Sequence, residues 1–301
     1  MARIPTRMYT PRMRRPIDPK VDCVFKALLG SEENHALLID FLNAMLAEAL
    51  SRPVVEVRIL DPYNPRESLD DKLTILDVKA RDAAGQVFQI EIQLLVYAEL
   101  SARILYGWAD LYRRQLRRGQ TYDSLKPAYA IWLLDQTLRP DTPAYAHRYR
   151  MRDDQGAALL DHGGIWLFEL NKAAVQRVET ERERWLKFFT EAESLDAANL
   201  PEWMQTPVMR QAMSTLSAFS EKERAYHAYQ ARQEFLREQR AIEQALERER
   251  QAKEAERQAK EAERQAKEAA LQEKEAALQE KDAELAEVER LKALLAQRPD
   301  A

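Results

Sequence analysis

With 301 residues, 46% of them hydrophobic, the chain is long enough to bury a sizeable core and to carry an extension besides. Its one cysteine, Cys23, excludes an internal disulfide and fits a reducing, cytoplasmic setting, and the formal net charge of −4 excludes a global electrostatic pull toward nucleic acid. No segment approaches the ~18 uninterrupted apolar residues of a membrane span, and four scattered histidines (His35, His147, His162, His227) suggest no zinc site.

The chain opens with a basic arm, residues 1–16, carrying Arg3, Arg7, Arg12, Arg14 and Arg15 without an apolar stretch of signal-peptide length. It reads as a solvated tail, with contact to a phosphate backbone as the alternative. Residues 19–50 have a helical pattern. Val21, Phe25, Leu28 and Leu29 share one side, and Ser31 offers an N-cap. Leu37, Leu38, Phe41, Leu42, Met45, Leu46 and Leu50 then recur at i, i+3 and i+4, a second helix expected to cover one face of a sheet. Residues 54–60 read as a strand, followed by a loop through Pro62 and Pro65.

Residues 74–93 carry the strongest local signal. Leu76, Val78 and Ala80 alternate with Asp77, Lys79 and Arg81; further on, Phe88, Ile90, Ile92 and Leu94 alternate with Gln89, Glu91 and Gln93. Such alternation marks two strands with one buried face. Ala83, Ala84 and Gly85 fit a three-residue hairpin loop. That loop pairs Asp82 with Gln86 and, counting back, sets Asp77 opposite Glu91, with Gln93 one step along on the same face. Like charges directly opposed are destabilising without compensation. The compensation is a solvated polar face with Lys79 and Arg81 as partners, a proton shared by the two acids, or a bound cation, since Mg²⁺ accepts one or two carboxylates while keeping several waters.

A third helix fits residues 97–118, with Leu100, Ile104, Leu105, Trp108, Leu111 and Leu116 as its buried stripe. Its end is basic: Arg113, Arg114, Arg117 and Arg118 recur at i, i+1, i+4 and i+5 before Gly119. With Arg103, they are the candidate phosphate-contact surface; the competing explanation is complementation of the helix dipole at a C-terminus. Residues 128–134 are a short apolar run suited to a central strand, and 145–150 and 165–170 are two further strand candidates. Another helix fits 179–194, with Trp185, Leu186, Phe188 and Phe189 apolar; Pro201 and Pro207 close the globular part. The fold class expected is α/β, a mixed sheet flanked by helices.

Residues 208–298 contain neither Gly nor Pro, and from about Arg250 the sequence repeats in sevens, with Glu placed four residues ahead of Lys. Residues 207–298 thus read as one long helical extension, followed by a short tail, 299–301. A seam of Ala252, Ala255, Ala259, Ala262, Ala266 and Ala269 gives way to Leu271, Leu278, Leu285, Val288, Leu291 and Leu295. The heptads favour a coiled coil and a homo-oligomer, against a lone salt-bridged helix. With 19 acidic and 16 basic residues over 221–296, this helix is not a polybasic nucleic-acid tail.

The hairpin, with Asp77 on one strand and Glu91-Ile92-Gln93 on the next, resembles the active-site hairpin of the PD-(D/E)xK nuclease superfamily. V-F-K-A-L-L-G at 24–30, F-L-N-A at 41–44, L-D-D-K-L-T-I-L-D-V-K-A-R-D at 69–82, F-Q-I-E-I-Q at 88–93 and L-Y-R-R-Q-L-R-R-G-Q-T-Y at 111–122 together resemble its bacterial recombination-promoting nuclease and transposase branch. The resemblance implies a restriction-endonuclease-like fold over residues 17–206 and a DNA substrate. It implies Asp77 and Glu91 as ligands of Mg²⁺ (or Mn²⁺ or Ca²⁺). Gln93 stands where many relatives carry Lys, and its amide orients a water or a phosphate by hydrogen bonding alone. Asp22 matches an acid that completes the site in relatives, its alternative being a helix N-terminal residue; Gln115 lies within a matching block as a further auxiliary residue. Two functions of different class follow: a metal-dependent endonuclease hydrolysing DNA phosphodiesters, or a catalytically inactive, oligomeric DNA-binding or scaffold protein on the same fold.

Overall fold

A computed structural model describes residues 15–60 and 77–296. The basic arm up to residue 14, the loop with Pro62 and Pro65, the first strand residue Leu76 and the tail 299–301 lie outside the described residues. The main unit extends to Leu236, and residues 237–301 form a second.

Six strands form one mixed sheet. In chain order they are β1 (Val57–Ile59), β2 (Val78–Asp82), β3 (Val87–Gln93), β4 (Ala128–Leu134), β5 (Ala146–Tyr149) and β6 (Gly163–Glu169). Their spatial order is β1-β2-β3-β4-β6-β5, with β3, β4 and β6 parallel and the remaining pairs antiparallel. Every residue of β4 is buried, as its unbroken apolar sequence requires of a strand covered on both sides. The hairpin between β2 and β3 has the register expected: Val78 faces Ile90, Ala80 faces Phe88, and the Asp82 N–H donates to the Gln86 carbonyl at 3.1 Å. Gly85 takes φ of +84°, a conformation side chains rarely adopt.

One face of the sheet carries the main core. Val78, Ala80, Phe88, Ile90, Tyr129, Ile131, Leu133, Trp166 and Phe168 pack there with residues of α1 (Asp22–Leu29), α2 (His35–Met45), α4 (Glu181–Glu191) and α5 (Pro207–Glu221). An aromatic group of Phe25, Phe41, Trp185, Phe188 and Phe189 fills its centre, with ring centroids 5.4–6.2 Å apart. Thr180 closes a capping box with Glu183 at the start of α4. Ser31 precedes a short 3-10 turn and makes no side-chain cap; Asn34 instead donates from its amide to the Ala27 carbonyl at 2.9 Å.

The opposite face is covered by α3 (Leu100–Arg113), whose Leu100 and Ile104 pack on Ala130, Trp132, Leu134, Ile165 and Leu167. Here the sequence expectation is corrected. The helix stops at Arg113, five residues before the expected end, and Leu105 is 56% exposed rather than part of the buried stripe. Since α3 lies over β3, the strand is buried on both faces: Gln89 and Glu91 are each 5% exposed, so this is not a solvated polar face.

The globular core also runs past the expected limit at residue 206. Met209, Ala212, Met213, Leu216 and Phe219 of α5, together with Tyr229, lie in the main core. Lys222, in extended conformation, separates α5 from α6 (Glu223–Ala296). In the second unit the helix carries a row of ion pairs: Glu249–Lys253, Glu256–Lys260 and Glu263–Lys267 at 2.5–2.6 Å, with Glu254–Arg257 and Glu261–Arg264 at 3.0–3.1 Å. Ile242, Leu246, Leu271, Leu285 and Val288 are exposed and share one stripe of a seven-residue repeat. Along that stripe the middle positions are Arg250, Lys253, Arg257, Lys260, Arg264 and Lys267. The alanine row lies roughly half a turn round the helix, so the alanine and leucine rows are not one seam. The side chains of Leu278, Leu291 and Leu295 lie outside those described.

Candidate active site

Register places the candidate residues. With Val78 opposite Ile90, Asp77 is next to face Glu91, and the pleat puts Asp77, Lys79, Gln89, Glu91 and Gln93 on the side that α3 covers. Lys79 Nζ lies 2.8 Å from Asp77 Oδ2. On β3, Gln89 donates from Nε2 to Glu91 Oε1 at 2.5 Å, and Arg103 of α3 places Nη2 3.0 Å from Glu91 Oε2. Arg103 Nη1 donates to the Tyr97 hydroxyl at 2.8 Å and lies 3.5 Å from Gln93 Oε1. Its guanidinium also sits 5.5 Å from the centre of the Trp132 ring, a cation–π distance. The amide end of Gln93 is engaged, donating to the Leu95 carbonyl at 2.9 Å, so its oxygen is the end turned to the site.

Burial decides the electrostatics. The Glu91 carboxyl is pushed up to about 7, first by its removal from water; Arg103 works against that rise, and the nearby Asp77 charge adds to it. An acid this perturbed beside a second acid, partly open to solvent through Arg103 (26% exposed), marks the face as the candidate functional site. Each Glu91 oxygen accepts one hydrogen bond and keeps a second acceptor position. Asp77, Glu91 and the Gln93 amide oxygen are hard oxygen donors, which suits a divalent ion of the Mg²⁺ class. Among the described residues no group of three or more His, Cys, Asp or Glu side chains gathers; two carboxylates are what such an ion accepts while keeping its waters.

The other candidates have partners of their own. Asp22, at the start of α1, pairs with Arg232 at 2.7 Å and accepts from the Cys23 N–H at 2.8 Å. Its carboxyl is raised by burial, against the lowering effect of Arg232. The neighbouring Lys20 reaches Asp135 at 2.7 Å, and the Asp135 N–H donates to the Gln93 carbonyl, so α1 begins at the Gln93 end of β3. Gln115 binds the Lys126 backbone in both directions, at 2.9 and 3.1 Å, pinning the loop after α3 to the start of β4. That is the far end of β4 from Trp132, which stands beside Glu91. Arg113 and Arg114 both bond Asp110, which is held below the usual carboxylate range first by Arg113, against the opposing effect of burial, with Arg114 adding to the lowering. Arg117 and Arg118 are exposed in the turn that follows, not on a helical edge. Arg103 stands apart from these four: it is turned inward onto Glu91.

Sequence reasoning missed Gln89 as a partner of Glu91 and Tyr97 as a partner of Arg103. Gln89 was findable, since period two puts it on the Glu91 face; Tyr97 was not, because its contact depends on how α3 docks. Among the described residues no helix is long and apolar enough to cross a membrane.

No match was found among curated proteins or among solved structures. The family model for PD-(D/E)XK nuclease family transposases matches residues 19–245, which include the whole sheet and the Asp77, Glu91 and Gln93 positions. Members of this superfamily typically use divalent metals, and the six-stranded mixed sheet with flanking helices is a restriction-endonuclease-like fold. The chain belongs to the PD-(D/E)XK nuclease family of transposases.

Proposed function

We propose that the protein is a metal-dependent DNA endonuclease of the recombination-promoting nuclease and transposase type. The observation that carries this reading is the pair of acids on one face of the hairpin, with Glu91 buried and its carboxyl pushed up to about 7. Asp77 and Glu91 are the residues to hold Mg²⁺, with Mn²⁺ or Ca²⁺ as substitutes. A divalent ion bound there supplies Lewis-acid stabilisation of the phosphate and a more acidic water. Gln93, with its N–H₂ bonded to Leu95, presents an oxygen that accepts from a water and fixes its orientation. Asp22 steadies the start of α1 through Arg232, and Gln115 fixes the loop after α3 at the far end of β4, away from the acids. Arg117 and Arg118 meet the DNA backbone, joined by the one positive charge that Arg113 and Arg114 hold in excess of Asp110.

The long helix brings two or more copies together. Its ion-paired stretch from 249 to 267 is supported within one chain, whereas its Leu271, Leu285 and Val288 are left exposed. Pairing therefore belongs to residues 271–295, with the charged stretch as a spacer. The experiment is plasmid nicking with Mg²⁺ or Mn²⁺, comparing the wild type with Asp77→Ala and Glu91→Ala. Metal-dependent cutting lost in both variants supports the enzyme. The same background in all three would leave an oligomeric DNA-binding scaffold on a nuclease fold.

A further inference from the structure

Hydrolysis of a phosphodiester adds negative charge to a group that already carries one, and that charge needs positive partners in a dry site. The strand offers none at the end where Gln93 lies, because a glutamine amide is neutral. Lys79 is bound to Asp77 and faces Gln89, one step back toward the hairpin turn. The positive charge at the Glu91–Gln93 step comes instead from the covering helix. Arg103 reaches Glu91 at 3.0 Å and Gln93 at 3.5 Å, is steadied by Tyr97 at 2.8 Å, and remains about a quarter exposed.

We propose that Arg103 is the built-in cation of this site, compensating Glu91 when no divalent ion is present and holding the scissile phosphate when one is. Three features of the side chain support both roles. A guanidinium keeps its charge at any working pH, so it is a fixed positive partner for the ionised Glu91 carboxylate. Its planar fork matches a phosphate as well as a carboxylate, so the same group serves either partner. Its helix is anchored independently of the hairpin by Leu100 and Ile104, which keeps the guanidinium in place if Glu91 turns to another ligand. This inference rests on the nuclease reading above, and it adds a consequence: Arg103 and a divalent ion compete for Glu91 in the free protein.

The test is to measure Mn²⁺ binding to the full, metal-free chain by calorimetry, alongside cleavage at saturating Mn²⁺, for wild type, Arg103→Gln, Arg103→Lys and the double variant Arg103→Gln, Gln93→Lys. Removing a unit charge a few ångströms from Glu91 should tighten Mn²⁺ binding by about tenfold, while cleavage falls about a hundredfold or more. The double variant, which returns a cation from the strand, should recover at least about tenfold of that loss. Arg103→Lys keeps the charge and should bind Mn²⁺ as the wild type does, with cleavage within about tenfold; it serves if Arg103→Gln does not fold. A residue that merely props the fold predicts the reverse sign, with Mn²⁺ affinity and thermal stability falling together, and that result overturns the proposal. Cleavage unchanged in Arg103→Gln, or lost entirely in Arg103→Lys, overturns it too. If the wild type cuts nothing, the nuclease reading fails by itself. The binding arm still decides the charge role, and unchanged or absent Mn²⁺ binding in Arg103→Gln overturns it.

Discussion

Replacing Glu91 with glutamine should make the metal-free protein more stable, and increasingly so as pH rises. The folded carboxyl sits at about 7 against 4.5 for an ordinary glutamate, so the folded chain binds this proton more tightly than the unfolded one. That contribution to stability is fully present below about pH 4.5 and is lost as pH climbs through about 7. One pKa unit corresponds to about 1.4 kcal/mol, so the ionised wild type at pH 8 gives up roughly 3 kcal/mol that a neutral isostere keeps, and less than about 1 kcal/mol at pH 5. For a body of this size the gap at pH 8 corresponds to about 6–12 °C in Tm. Urea unfolding of both proteins in EDTA at pH 5 and pH 8 reads it directly. The reasoning fails if the variant is the less stable protein at both pH values, because the Arg103 ion pair would then outweigh the cost of burying Glu91. The same sign predicts that wild-type affinity for a divalent ion strengthens from pH 5 to pH 8, as the proton leaves the carboxylate that would hold it.

Gly163 begins β6 at φ of +86°, and a Cβ there would sit 2.1 Å from the Ala128 carbonyl oxygen. Gly163→Ala should part β4 from β6 and yield a protein without a cooperative melt; a wild-type melting curve would refute this. Arg117→Gln with Arg118→Gln should weaken DNA binding at every sequence tested and make the slope of log affinity against log salt shallower by about 2. An unchanged slope would remove those two residues from the DNA surface. A chain ending at residue 270 should have the mass of one protomer in light scattering while the full chain is larger. Unchanged mass would place pairing elsewhere.

How much could be read in advance depends on the range of the interactions involved. Strand positions follow from period two and turn chemistry, which are local, and so the register that opposes Asp77 to Glu91 was legible from Asp82, Gly85 and Gln86. The all-apolar run 128–134 likewise announced a strand covered on both sides. Helix ends depend on weaker forces: nothing local distinguishes Leu111, buried under α3, from Leu105, exposed on it.

The sequence by itself determined the two acids, their common face and the long helical extension from residue 207, because each is set by neighbours a few residues apart, and its ordered motif blocks pointed to the family. Only the tertiary structure decided what surrounds those acids. The docking of α3 across β3 rules out the solvated face that the sequence left open, lifts the Glu91 carboxyl and brings Arg103 onto it, while Arg232, 210 residues away in sequence, engages Asp22. Desolvation and charge pairing act through space, and the chain order carries no record of which side chains will share a volume from which water is excluded.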